Sequence, residues 1–113
     1  MNRYQILIEY EGTLYNGWQI QKKGKSIQEN IEIVLSKLLK EKIKIYGSGR
    51  TDTGVHAKEQ SAHFDTTNKI IQKDKLLNSL NFFLNKKKIS ILKIKKKNKL
   101  FHSRYSAKER RYI

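Results

Sequence analysis

This sequence predicts an α+β domain in which two helices lie on one face of a four-stranded antiparallel sheet. Three observations carry that expectation. Two stretches place apolar residues at helical spacing, four shorter ones alternate apolar and polar residues, and their order is strand, helix, strand, strand, helix, strand. A chain of 113 residues fits one domain and can bury a real hydrophobic core.

The first strand spans 3–10, with Tyr4, Ile6, Ile8 and Tyr10 on one face. Glu11-Gly12 opens a polar loop through Gly24 that contains Tyr15 and Trp18. Ser26-Ile27-Gln28-Glu29 has the form of a capping box, in which the serine accepts from the third helical amide and the glutamate reaches back. Ile27, Ile31, Val34, Leu35, Leu38 and Leu39 then mark a helix over 27–40. A short strand is expected at 43–47, a glycine-bearing loop at 47–57, and a third strand at 59–65, where Gln60, Ala62 and Phe64 alternate with Ser61, His63 and Asp65. Leu76, Leu77, Leu80, Phe83 and Leu84 mark a second helix over 73–85. The fourth strand falls at 88–95, although Ile91-Leu92 breaks its alternation, and Lys95 to Lys99 reads as a charged turn. This order is that of the ferredoxin-like βαββαβ fold. Residues 1–97 would form that domain, with 98–113 a basic segment beyond it.

Lysine and arginine number 25 against 10 acids, for a formal charge of +15. That excess points to a polyanionic partner, nucleic acid before membrane surface. Part of it reflects composition, because 20 of the 25 cations are lysine and proline is absent, as AT-rich codons would give. Its distribution is more informative: residues 86–113 hold 12 cations and one acid. Cysteine is absent, which rules out disulfides, thiol catalysis and cysteine-ligated zinc and fits a reducing cytoplasm. His56, His63 and His102 lack metal-ligand spacing, so no metal site is expected. No apolar run approaches the roughly 18 residues of a membrane span, and Met1-Asn2-Arg3 leads into a strand rather than a signal peptide.

Chemistry is concentrated between Gly47 and Ala57. The stretch is neither a dinucleotide fingerprint, whose last glycine would fall on Asp52, nor a P-loop, since Val55-His56 follows Gly54. It presents an arginine, a threonine, an aspartate and a histidine between two strands. On spacing alone an aspartate among glycines is usually a turn residue. The functional reading rests on Arg50, whose guanidinium, two residues away, would keep Asp52 ionised as a nucleophile or base.

Gly49-Arg50-Thr51-Asp52-Thr53-Gly54-Val55-His56-Ala57 resembles the active-site loop of the tRNA pseudouridine synthase A family, where alanine is commoner at the position of Thr53. Further segments resemble that family in order and spacing. They are Glu9-Tyr10-Glu11-Gly12 with Gly17-Trp18-Gln19, Ser26-Ile27-Gln28, Ala62-His63-Phe64-Asp65, and Phe101 to Tyr112. The resemblance implies an enzyme that isomerises uridine to pseudouridine in the anticodon stem-loop of tRNA, with no metal or other cofactor. Asp52 would be the catalytic nucleophile, attacking ribose C1′ or uracil C6 or assisting glycal formation. Arg50 would pair with it, and Tyr112 would stack on the flipped uracil. His56 could contact phosphate or make a structural hydrogen bond. Family members are about twice this long and act as homodimers, so the chain corresponds to their N-terminal half. The rival reading is a non-catalytic RNA-binding module of the same fold, but the aromatic consensus of its commonest class is absent.

Overall fold

The computed structural model describes residues 1–11, 26–47, 57–98 and 100. Their elements are β1 (Asn2–Glu11), α1 (Ile27–Leu39), β2 (Ile45–Gly47), β3 (Ala57–Thr66), α2 (Lys73–Leu84) and β4 (Ile89–Lys97), with a single 3-10 turn at Asn85–Lys87. The strands form one sheet in the order β2-β3-β1-β4. Every neighbouring pair is antiparallel. This is the ferredoxin-like arrangement that the sequence predicts.

Alternation along the strands decides which face is covered. Tyr4, Ile6, Ile8 and Tyr10 of β1 join Ala62 and Phe64 of β3 and Ile89, Ile91 and Ile94 of β4 in a single buried cluster. Ile27, Ile31 and Leu35 of α1 and Leu80 and Leu84 of α2 complete it, so both helices pack on the same face. Tyr4 stacks on Phe64 at 5.8 Å between ring centroids. Its buried hydroxyl accepts a hydrogen bond from the Ile70 amide at 2.8 Å, which spares the core an unsatisfied polar atom.

The helix ends follow local chemistry. Glu29 N donates to Ser26 Oγ at 3.1 Å and Ser26 N to Glu29 Oε1 at 3.2 Å, which is the capping box. Lys40 closes α1 in the left-handed region at φ 56°, one residue earlier than the hydrophobic period implies.

Two sequence expectations are revised at the strands. Ile43 is buried but lies outside β2, because its amide donates to Ser36 Oγ of α1 rather than to a strand. Lys95, Lys96 and Lys97 belong to β4 and not to a turn, opposite Gln5, Tyr4 and Arg3 of β1. The broken alternation at Ile91-Leu92 is a β-bulge: Ile8 faces Ile91 while Leu7 faces Lys93, so Leu92 is the extra residue.

Candidate functional site

The hairpin of β2 and β3 carries the segment that the sequence singles out. Arg50, Asp52 and His56 lie outside the described residues, as does Tyr112, but the anchor points of their segments are defined. Gly47 ends β2 opposite Ala62, whereas β3 begins at Ala57 opposite Glu11 of β1. The two anchors are therefore five residues apart along β3, about 17 Å at strand rise. Ten Cα steps separate them in sequence and can span up to roughly 35 Å. The connection has length to spare for presenting side chains. Glu11 and Ala57 also place the start of 12–25 and the end of 48–56 at the same end of the sheet. Lys97, from which the chain continues toward Tyr112, pairs with Arg3 at the opposite end.

Strand β2 has only three rungs, and it is fixed from three directions. Ile45 enters the core at 1% exposure. On its unpaired edge, the Ile45 amide donates to Glu32 Oε2 at 2.9 Å and Gln28 Nε2 donates to the Ile45 carbonyl at 3.3 Å. Gln28 Nε2 also reaches Glu32 Oε2 at 3.2 Å, which ties the two helix side chains together. On the sheet face away from the helices, Tyr46 stacks on His63 at 5.2 Å and 24°. Sequence reasoning missed the roles of Gln28, Glu32 and Tyr46. The signal that could have found them is Gln28, Glu32 and Ser36 at four-residue spacing, a polar stripe beside the apolar one.

The sheet face away from the helices is polar and ordered by pairing. Arg3 forms a two-pronged ion pair with Asp65, at 2.8 Å from Nε to Oδ1 and 2.9 Å from Nη2 to Oδ2. The hydrogen bonds from Arg3 hold the Asp65 carboxyl below its ordinary range against the opposing effect of desolvation. Gln5 Nε2 donates to Ser61 Oγ at 2.7 Å. His63, on this same face, is 2% exposed. Toward β4 the face becomes cationic, with Lys93, Lys95 and Lys97 opposite Leu7, Gln5 and Arg3.

At the other end of α1, Glu41 gathers the turn after β3. Its Oε1 accepts from the Thr66 hydroxyl, from Thr67 N at 3.0 Å and from Asn68 Nδ2 at 2.8 Å. These donors, Thr66 foremost, hold the Glu41 carboxyl below its usual value. A shallow depression of about 700 Å³ at the start of α2 is lined by Ile71 to Lys75 and Asn78. All of its lining comes from one short stretch, so no groups from different elements converge there. Among the described residues no cluster of three or more His, Asp or Glu could hold a metal ion. No helix among them is long and apolar enough to cross a membrane.

Comparison with known proteins finds similarity along nearly the whole chain. Residues 6–106 match the family model described as tRNA pseudouridine synthase. The chain is 62% identical over 112 residues to the tRNA pseudouridine synthase A of Pelagibacter ubique, covering 99% of this chain and 46% of that protein. It is 46% identical to the protein of the same name from Neorickettsia sennetsu, covering 97% of this chain and 45% of the relative. Against the Borrelia garinii protein of that name identity is 48%, over 99% of this chain and 45% of the relative. The chain thus spans about half the length of the curated relatives it matches. With the family match extending across the sheet, both helices and the aspartate loop, this chain belongs to the tRNA pseudouridine synthase family.

Proposed function

We propose that this chain supplies the aspartate-bearing part of an enzyme that converts uridine to pseudouridine in the anticodon stem-loop of tRNA. The observation that carries this reading is the sequence Gly49 to Ala57, with Arg50 two residues before Asp52, on the β2–β3 connection of a chain in this family. The reaction is an isomerisation: the N1–C1′ bond breaks, the uracil turns, and C5 joins C1′. It consumes no oxidant or group donor, so the work is positioning and nucleophilic assistance. Asp52 is the nucleophile in this reading, at C1′ or C6 or through a glycal, and Arg50 keeps it ionised. The guanidinium also fills the space left by the extruded base, whose unstacking costs a few kcal/mol. Tyr112 returns about 1–3 kcal/mol of that by stacking. His56 contacts phosphate beside the loop, and the active protein is a cytoplasmic homodimer.

The cationic β4 side of the sheet face away from the helices, with Lys93, Lys95 and Lys97, supports RNA as the partner. The non-catalytic reading gains little from the same face. Tyr46 and His63 are the ring-bearing residues described there, and they stack on each other.

The decisive experiment uses the full-length protein that carries these residues and follows tritium release from C5-labelled uridine in tRNA. Asp52→Asn should keep the fold and most tRNA affinity yet lose product formation, because an amide is a poor nucleophile and base. Arg50→Lys should also lower turnover, since a point charge does not reproduce the planar fork. Turnover by Asp52→Asn near the parent level would remove Asp52 from this role.

A further inference from the structure

The polar stripe of α1 is the feature that the fold alone does not require. Gln28, Glu32 and Ser36 stand one helical turn apart and meet the backbone of 43–45 in sequence. Ser36 Oγ accepts from Ile43 N at 2.9 Å, Glu32 Oε2 accepts from Ile45 N at 2.9 Å, and Gln28 Nε2 donates to Ile45 O at 3.3 Å. A helix side usually contributes apolar contacts to a sheet. Here it also bonds both the amide and the carbonyl of Ile45 in an edge strand that has only three rungs of its own.

The consequence lies two residues further on. Gly47 is the N-terminal anchor of the segment that bears Arg50 and Asp52, and the strand leading to it has few bonds on its β3 side. The other anchor, Ala57, is held by the ten-residue ladder of β3 against β1. At the β2 anchor, side chains of α1 add to what backbone pairing supplies. We infer that Gln28 and Glu32 are positioning residues for the aspartate loop, fixing where β2 releases the chain toward Asp52. The inference rests on the functional reading above. Misplacement of a reacting group by about 1 Å can cost about a hundredfold in rate. A strand held on one edge by three rungs can shift that far when its opposite edge is released.

The test is made in the full-length protein with Glu32→Ala and Glu32→Gln. The amide variant keeps an acceptor for Ile45 N, whereas the alanine variant removes it. Glu32→Ala should speed exchange of the Ile45 amide while the β1–β3 ladder stays protected. It should lower kcat for pseudouridine formation about tenfold or more with KM within twofold. Glu32→Gln should recover most of that kcat. A purely structural role would lower thermal stability and the active fraction without this kcat-only loss and amide rescue. If the parent is active and Glu32→Ala keeps its kcat despite an opened Ile45 amide, the inference falls and the functional reading stands. If the parent forms no pseudouridine although Ile45 is protected, the functional reading falls and takes the inference with it.

Discussion

Two carboxylates among the described residues are shifted by their hydrogen-bond donors, and each has a specific donor set. Asp65 faces Arg3 across β1 and β3, and Glu41 collects donors from Thr66, Thr67 and Asn68. Both are held below their ordinary values in the folded chain. A carboxyl depressed on folding contributes stability above its unfolded pKa of about 4, and that contribution is lost as pH falls through the folded value. The melting temperature should thus decline on acidification below about pH 4. Asp65→Asn and Glu41→Gln should each flatten that decline while lowering the plateau at pH 7. Thermal melts between pH 2 and 7 check this, and an unchanged acid limb in both variants would count against these pairs. Little of this was legible beforehand. Asp65 reads from the sequence as a polar strand position, and its partner Arg3 lies 62 residues away. Local pattern cannot reveal so distant a pairing.

At the scale of elements, legibility follows how local the stabilising interactions are. The start of α1 could be read directly because Ser26 and Glu29 are three residues apart and cap each other. Ser26→Ala should cost about 1 kcal/mol, the usual loss of an N-cap, measurable by urea unfolding with an unchanged m-value. The β2 boundary was harder, since what separates Ile43 from the strand is a side chain on α1. The same device recurs at the opposite edge. Asn81 of α2 accepts from Ile91 N at 2.7 Å through Oδ1 and donates to Ile91 O at 3.0 Å through Nδ2. Each helix therefore uses polar side chains to satisfy one isoleucine backbone on the strand it overlies. The candidate loop itself was legible as a motif, because its residues are consecutive. Its mounting was not, because it depends on contacts from α1.

Among the described residues the sheet sets an apolar face under the two helices against a polar face on its other side, with cations gathered on β4. If that side meets RNA phosphates, log K for tRNA should fall with log salt at roughly −0.7 to −0.9 per phosphate neutralised. Replacing Lys93, Lys95 and Lys97 with glutamine should make the slope shallower by up to about three such units. Filter binding or anisotropy across a salt series measures it, and an unchanged slope would reduce these lysines to solvated surface. The division into two faces was legible from alternation in β1 and β3. It was less so in β4, where the lysine run concealed three paired residues.

The alternation of β4 breaks at Leu92, and the bulge there has a consequence for evolution and engineering alike. Ile91 and Ile94 are three apart, an odd interval, yet both are buried. In an unbroken strand, one of them would point outward and Lys93, Lys95 and Lys97 would turn into the core. Leu92 is a one-residue phase correction that restores parity between the two halves of β4. Deleting it should leave the pairing of Ile8 with Ile91 and of Leu7 with Lys93 intact, at a smaller cost than a deletion within either phase. Deleting Ser90 instead removes a residue from within a phase and swings Ile89 out of the core, at a cost of about 2 kcal/mol or more. Denaturant midpoints of the two single-residue deletions would separate them: the tolerated length change in this strand sits at one address, and a shortened relative would be expected to lose its residue there.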